Sequence, residues 1–451
     1  MIRSRIARGE TPRVLANAGV LLSGDVLGYL FGFVALALAA RGLPAEDFGV
    51  LVLVQSYAEA VETLVTFQSW QGIIHFGAGA LEEGRDDDFR ALIRLGTVVD
   101  VISGIFGAVV AVVAAVLLQG LLGWTDQTMG LAIVVGLGIL APPMSMPIAV
   151  LRLFGRFSVL AKHAAATGGV RLLAIAVAYL LGLELTGFVI VWLATDVFER
   201  SALMALAWLE LRQRGHRSFW RGPIRGVRSR FPGLSLFLVS SNLVASVRVV
   251  PRYLDVLIVG NLLGPAAAGT YRIGKQLATA IAKLTDPVYE AVYPELSVLW
   301  AQRRLDAFRT VALQLGLLCG IIGCLGWLAL AVFGRWGISL VFGREYLQAF
   351  PMMMWMMAGM VIALFFLPLG PTILAMGRAT SSLAVLTIAS VVYVLVLFPL
   401  IGALGLTGAG VALLAYYLVW ASLLALPTAS YFRRTGRSLA DEQGTGVAGR
   451  G

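Results

Sequence analysis

The sequence predicts an all-α polytopic membrane protein of about twelve transmembrane helices, arranged as two six-helix lobes around a central cavity with both termini on the cytoplasmic side. Three observations predict it. The 451-residue chain is 59% hydrophobic and only 13% charged. Apolar runs of about 18 residues or more, long enough to cross a hydrocarbon core as helices, recur at close intervals. When those runs are laid out as alternating spans, the lysines and arginines collect on one side.

Taken in order, the spans fall at 13–40, 48–76, 91–118, 129–154, 158–181, 186–211, 234–262, 266–299, 308–334, 349–376, 380–401 and 406–432. The first follows a basic tail, residues 1–12, and runs from Val14 to Ala40 without a small-residue cleavage motif, so it is expected to be retained rather than removed as a signal peptide. Residues 13–211 make the first lobe, 212–233 a basic cytoplasmic linker, 234–432 the second lobe, and 433–451 a flexible cytoplasmic tail. With the N-terminus inside, the tails and even-to-odd connections, with their flanking residues, hold 25 of the 35 Lys and Arg, whereas the odd-to-even connections hold only Arg41, Arg335 and Arg344. That bias sets an even span count and an N-in, C-in orientation.

The formal net charge of +10 could suggest nucleic acid, but its largest cluster, Arg212, Arg214, Arg217, Arg221, Arg225, Arg228 and Arg230, is the cytoplasmic linker. It reads as a topology determinant resting on anionic lipid. Nucleic-acid binding therefore has no support. The linker separates two sets of six spans whose first turns are alike: GLPAEDFGVL (Gly42 to Leu51) and LLGPAAAGTY (Leu262 to Tyr271) each place Pro-Ala shortly before a helix-opening Gly. Two lobes related by an axis along the membrane normal put a substrate site between them near the midplane.

Several features exclude enzymatic and metal chemistry. Cys319 and Cys324 are five apart in one apolar run and point in different directions on a helix, which suits packing rather than a disulfide. His75, His163 and His216 form no ligand spacing. The longest outside loop, around GRWGISLVFGREYLQAF, is too short for an extramembrane catalytic domain. Trp124, Trp336, Trp220 and Trp300 suit aromatic belts, and Met352 to Met357 an adaptable packing surface. Helix breaks are expected at Pro142, Pro143 and Pro147, at Pro251, at Pro287 and Pro294, and at Pro368 and Pro371.

Charges inside the spans carry the functional reading, because each costs at least about 2.5 to 3.5 kcal/mol at the bilayer centre unless it faces water or a partner. At about 100° per residue, Arg272, Lys275, Thr279, Lys283, Asp286 and Glu290 share one stripe of the eighth span. Ser241, Ala245, Arg248, Arg252 and Asp255 share one side of the seventh. Gln55, Glu59, Glu62, Thr66 and Ser69 line the second, with Asp25 and Asp100 in its neighbours, so the first lobe is the acidic one. Asp196, Glu199 and Arg200 lie within one turn and are placed to neutralise each other. Two readings stay open for the basic set. Its members could pair between helices, as Arg248 or Arg252 with Asp286, or Lys283 with Glu59. Alternatively, Arg248, Arg252, Arg272, Lys275 and Lys283 line a cavity that takes phosphate, which accepts forked, charge-assisted hydrogen bonds. The carboxylates Asp25, Glu59, Glu62, Asp255 and Asp286 are candidates for a coupling ion or for ion pairs.

The stretch DVLIVGNLLGPAAAGTYRIGKQLATAIAKLTDPVYEAVYPELSVLWAQRRLDAF, with Asp255, Gly260, Gly264, Gly269, Tyr271 and Pro294, resembles the Wzx-type polysaccharide (O-antigen repeat-unit) flippases of the multidrug/oligosaccharidyl-lipid/polysaccharide (MOP) exporter superfamily. ARGLPAEDFGVLVLVQSY at the end of span one is similar to them too. The resemblance implies a MATE-like fold and a transporter rather than an enzyme. It also implies an inner-membrane location and a substrate of undecaprenyl-pyrophosphate-linked oligosaccharide moved from the cytoplasmic to the periplasmic leaflet. Expected partners are that lipid-linked substrate, membrane lipids and polysaccharide polymerase or assembly proteins. No cofactor is expected beyond a coupling Na+ or H+. The peptidoglycan-precursor flippase is a relative with fourteen spans, and twelve fits the polysaccharide branch better. A cation-coupled multidrug antiporter, which would want an acidic, aromatic cavity, is the alternative. A membrane glycosyltransferase or polymerase would need an acidic metal motif or a sizeable outside loop, and neither is present.

Overall fold

The apolar segments fold as helices in a computed structural model of the chain, which describes residues 11–67, 69–216, 226–283, 304–375 and 379–425 with positions 299 and 302. The first half contains α1 (Thr11–Gly42), α2 (Ala45–Val65), α3 (Ser69–Glu82), α4 (Asp86–Leu118), α5 (Asp126–Leu137), α6 (Ser145–Leu153), α7 (Phe157–Leu180) and α8 (Leu185–Gln213). After the short α9 (Val227–Arg230) come α10 (Leu234–Arg248), α11 (Asp255–Leu263) and α12 (Pro265–Lys283). The rest is α13 (Leu305–Val341), α14 (Ala349–Phe365), α15 (Leu369–Ala375), α16 (Ala379–Leu404) and α17 (Leu406–Ala425). Among the described residues, ten helices are long and apolar enough to cross a membrane. α8 and α12 fall outside that set, and they are the helices that carry Asp196, Glu199 and Arg200 and Arg272, Lys275 and Lys283.

Four expected spans are interrupted, the tenth at a turn over 366–368 between α14 and α15, where Pro368 stands. The segment 48–76 breaks at Thr66, which is extended (φ −80°, ψ 135°). No Gly or Pro marks this break. Instead the Thr63 and Thr66 hydroxyls donate to the Glu59 and Glu62 carbonyls at 2.8 and 2.6 Å, and the Phe67 amide leaves the helix ladder for the Ser103 hydroxyl. The segment 129–154 breaks after a 3-10 turn, Gly138–Leu140, where Pro142 and Pro143 cannot continue a helix. In the seventh span, Pro251 produces a π-helical turn, Val250–Leu254, between α10 and α11. The ninth span runs past its expected end at 334: Gly334 packs against Phe350 and Met353, and the Arg335 guanidinium lies 5.1 Å from the Phe350 ring centroid. Much of the expected outside loop is therefore helix. Pro287, Pro294, Asp286, Glu290, most of the basic linker and the distal tails lie outside the described residues.

The chain forms two compact units, Met1–Gln276 with Gly337–Ala349, and Leu277–Trp336 with Phe350–Gly451. In the first, small residues allow close helix approach: Gly24 and Gly28 of α1 meet Ala161 and Ala164 of α7, with Gly168 against Gly28. The two similar first turns of the sequence lie on each other. A Cβ on Gly49 would run into the Pro265 carbonyl, and one on Gly269 would approach the Phe48 ring to 2.8 Å. This reciprocal contact sets α2 against the start of α12. In the second unit, Met352, Met353, Met356 and Met357 are fully buried, as is Cys319, while Cys324 is exposed. Exposed apolar rows such as Ile102, Ile105, Phe106, Val109, Val113 and Val116 on α4 suit a lipid environment.

Candidate functional site

Three groups of ionisable side chains in the first unit bear on the site: a closed pair, a cross-linked network and a set of open cations. The closed pair joins α11 and α12. Gly264, with φ +89°, turns the chain back between them, a conformation that glycine adopts without strain. Asp255 is fully buried, and its Oδ2 accepts from Lys275 Nζ and from the Tyr271 hydroxyl, each at 2.6 Å. Its Oδ1 accepts from the Val256 amide at 2.8 Å. Lys275 also donates to the Arg252 carbonyl at 3.0 Å, within the π-turn made by Pro251. Tyr271 and Lys275 are four apart and so share a face of α12. The pairs weighed from sequence did not include this one.

The network joins α2, α7 and α8. Arg200 forks onto Glu62, Nη1 to Oε1 at 2.7 Å and Nη2 to Oε2 at 2.9 Å, while its Nε donates to Asp196 at 2.7 Å. Arg171 donates to Glu199 at 2.9 Å, lies 3.6 Å from Asp196 and stacks on Trp192. The local pairing expected within α8 is present between Asp196 and Arg200. The link to Glu62 is additional, and it has a signal in the sequence: both residues lie at similar distances into helices that start on the same expected side, 17 and 15 residues beyond Ala45 and Leu185.

The open cations are Arg248 and Arg252, both exposed, and the half-buried Arg272. Among the described residues none of the three makes an ion pair. The Arg252 guanidinium lies 5.3 Å from the Tyr253 ring centroid. Glu59, half-buried on α2, feels Arg272 and Arg252 ahead of Glu62 and Asp196. Arg252 and Arg272 therefore keep their guanidinium forks unspent near Glu59, a carboxylate that partly balances them. Asp25 is exposed on α1, Lys283 is exposed at the end of α12, and Asp286 lies outside the described residues. Among the described residues no group of three or more His, Cys, Asp or Glu is placed to hold a metal ion.

An unpaired guanidinium at a partly desolvated surface can take a phosphate or carboxylate by two parallel hydrogen bonds. Lys275 is already engaged by Asp255, and so acts on such a ligand only through the helix it holds.

The sequence matches a family model described as polysaccharide biosynthesis protein over residues 14–300. It is 31% identical over 354 residues to the inner membrane protein YghQ of Escherichia coli (strain K12), a match covering 77% of this chain and 98% of that protein. Its fold is similar to that of an inward-facing multidrug resistance MATE family transporter of the MOP superfamily, with TM-score 0.73 at 14% identity over 93% of this chain and 99% of that one. It is similar also to the lipid II flippase MurJ in an inward closed conformation, with TM-score 0.67 at 11% identity over 92% of this chain and 87% of that one. At such identities the two structures speak to fold alone.

Proposed function

Since the chain belongs to the polysaccharide biosynthesis protein family and carries, among the described residues, ten helices long and apolar enough to cross a membrane, we propose that it is a multi-pass inner-membrane transporter that flips undecaprenyl-pyrophosphate-linked oligosaccharide repeat units from the cytoplasmic to the periplasmic leaflet by alternating access. The product would serve surface polysaccharide such as O-antigen or exopolysaccharide. The observation that carries this reading is the set Arg248, Arg252 and Arg272, which have no carboxylate partner among the described residues. A pyrophosphate offers the oxygens that such forks bind, and the energy of each contact, roughly 1.5 to 3 kcal/mol for a charged hydrogen bond, suits a ligand that must also leave. In this reading Lys275 keeps α12 in place, Lys283 is a further phosphate contact, and the prenyl tail stays in lipid. Of the carboxylates that could carry a coupling ion, Asp255 and Glu62 are held by Lys275 and Arg200, which leaves Glu59 as the candidate in this wall.

The test replaces Arg248, Arg252 and Arg272 singly with Gln and measures surface polysaccharide and lipid-linked repeat units left on the cytoplasmic side. Export is expected to fall on the order of tenfold or more in at least two of the three, at unchanged protein level. Normal export in all three would overturn the reading. Cation-coupled multidrug export is the rival, favoured by the three carboxylates that Arg171 and Arg200 share. Drug susceptibility of the same strains separates the two, because loss of unpaired cations should not weaken export of a cationic drug.

A further inference from the structure

Two helix breaks face each other in the first unit. α2 gives way to α3 at Thr66, and the Gly138–Leu140 turn gives way to α6 beyond Pro143. Between them lies a cavity of about 290 Å³ whose wall includes Thr66, Asp100, Ala141 and Ser145. Asp100, on α4, is 4% exposed, about 21 Å along the helix from Asp86 and about 27 Å from Leu118. Its Oδ2 accepts from the Ser69 hydroxyl at 2.8 Å, while its Oδ1 is buried and makes no hydrogen bond among the described residues. The Ser69 amide and the Ser145 hydroxyl lie beside the same carboxylate.

We propose that Oδ1 of Asp100 holds one monovalent cation, a sodium ion or a proton, between these two helix breaks. A buried carboxylate oxygen without a donor is costly in a membrane interior. The charged groups that line the cavity, Glu62 and Arg200, do not relieve it, because the Arg200 fork is occupied by Glu62 and its Nε by Asp196. The first segment of each broken helix ends here, and the carbonyl end of a helix carries partial negative charge. The second segments begin at Ser69 and Ser145, whose amide ends favour the carboxylate that anchors the cation. Interrupted membrane helices supply this pairing of carbonyls and amide ends to small cations. A sodium ion would draw oxygens from the carboxylate, the hydroxyls of Thr66 and Ser145 and the carbonyls at the breaks; a proton needs Oδ1 alone.

Binding is measured without transport, so this inference stands apart from the substrate reading. The purified full-length protein is titrated with radioactive sodium in sodium-free buffer, and the carbonyl stretch of protonated carboxyl groups is followed by infrared difference spectroscopy. Asp100→Asn and Ser145→Ala are compared with the wild type. One saturable sodium per chain, displaced by acid and weakened at least about tenfold by Asp100→Asn and less by Ser145→Ala, identifies sodium. No sodium binding, with a protonated-carboxyl band that disappears in Asp100→Asn, identifies the proton. An Asp100→Asn protein that fails to fold leaves the decision to the wild type and Ser145→Ala: unchanged sodium affinity in Ser145→Ala, or wild type with neither sodium binding nor a protonated-carboxyl band, overturns the proposal. So does sodium binding unaffected by Asp100→Asn when no Asp100-dependent band is seen.

Discussion

Where α11 meets α12, Asp255 and Lys275 are buried and bonded to each other, to Tyr271 and to backbone, whereas Arg252, in the turn before α11, and Arg272, on α12, each three residues from a member of that pair, have no carboxylate partner among the described residues. The four charges are close neighbours along the same two stretches of chain, and their surroundings differ. A fully desolvated pair is tolerable only when each charge is answered, so its members fix how two helices meet. A guanidinium left half-exposed costs less to hold and keeps its donors for a ligand. Charge inside a membrane helix is thus of two kinds, and burial with a partner tells them apart.

The largest effect should come from breaking the closed pair. Lys275→Met leaves Asp255 buried without its cation and is expected to cost about 3 to 5 kcal/mol of stability. It should show as a lower unfolding temperature in detergent and a lower protein level. Adding Asp255→Leu removes the orphaned charge and should restore most of that loss. By contrast Arg272→Gln, at a half-buried site with no ion pair among the described residues, should change stability by no more than about 1 kcal/mol. If Lys275→Met kept full stability and lost only export, the comparison would be wrong and Lys275 would be a substrate contact. Next in size is Gly49→Ala, whose Cβ meets the Pro265 backbone rather than a movable side chain. Overpacking of this kind costs about 1 to 3 kcal/mol. Because α2 and α12 carry both Glu59 and the two contrasted charges, this variant should lower stability and export together, which separates a framework defect from the selective loss in Arg272→Gln.

Most helices were legible because hydropathy and the positive-side bias are averages over many residues. The interruption at Pro251 was legible too, since proline removes a donor wherever the chain goes. The break at Thr66 was not, because Thr-Phe-Gln-Ser contains no breaker, and what stops α2 is a tertiary partner, Ser103, for the Phe67 amide. The same limit applies to charges. Helical spacing puts Arg272 and Lys275 on one face of α12, but which of them is answered depends on Asp255 across the Gly264 turn. Matching distances from that turn, 9 residues back to Asp255 and 11 forward to Lys275, were available in the sequence as a clue to the pair. Asp100 could be noticed as a charge in a span, while its unanswered oxygen depends on two breaks meeting.

An effect of similar size tests the network between those extremes. Arg200→Gln removes the fork on Glu62 and the bond to Asp196, in a setting that water partly reaches, and is expected to cost on the order of 1 to 3 kcal/mol. Arg200→Lys keeps the charge and loses the fork, so recovery by Lys would show that charge alone sufficed. The expected result is partial recovery, because one ammonium cannot serve both carboxylates in the geometry of Nε and the two Nη atoms.

The smallest expected effect lies outside the spans, at the end of α8. Gly215, with φ +84°, closes the helix, and the His216 amide returns to the Leu211 carbonyl at 2.9 Å. The imidazole stacks on Phe154 at 6.3 Å between centroids and meets Phe89 edge-on. Burial holds its pKa below the ordinary histidine value of about 6.5, with Asp86 opposing and Arg90 and Arg214 reinforcing that shift. The unfolded chain therefore takes up a proton at a higher pH than the folded one. The contribution of this packing to stability is full above about pH 6.5 and falls as the pH drops through the ordinary histidine value towards the lowered one. Melting temperatures taken down through that window should decline in the wild type and decline less in His216→Phe, which keeps a ring against Phe154 and has no proton to gain. Equal slopes in the two proteins would place the acid sensitivity elsewhere, and the contrast between buried answered charge and open charge would then need no histidine to explain its pH dependence.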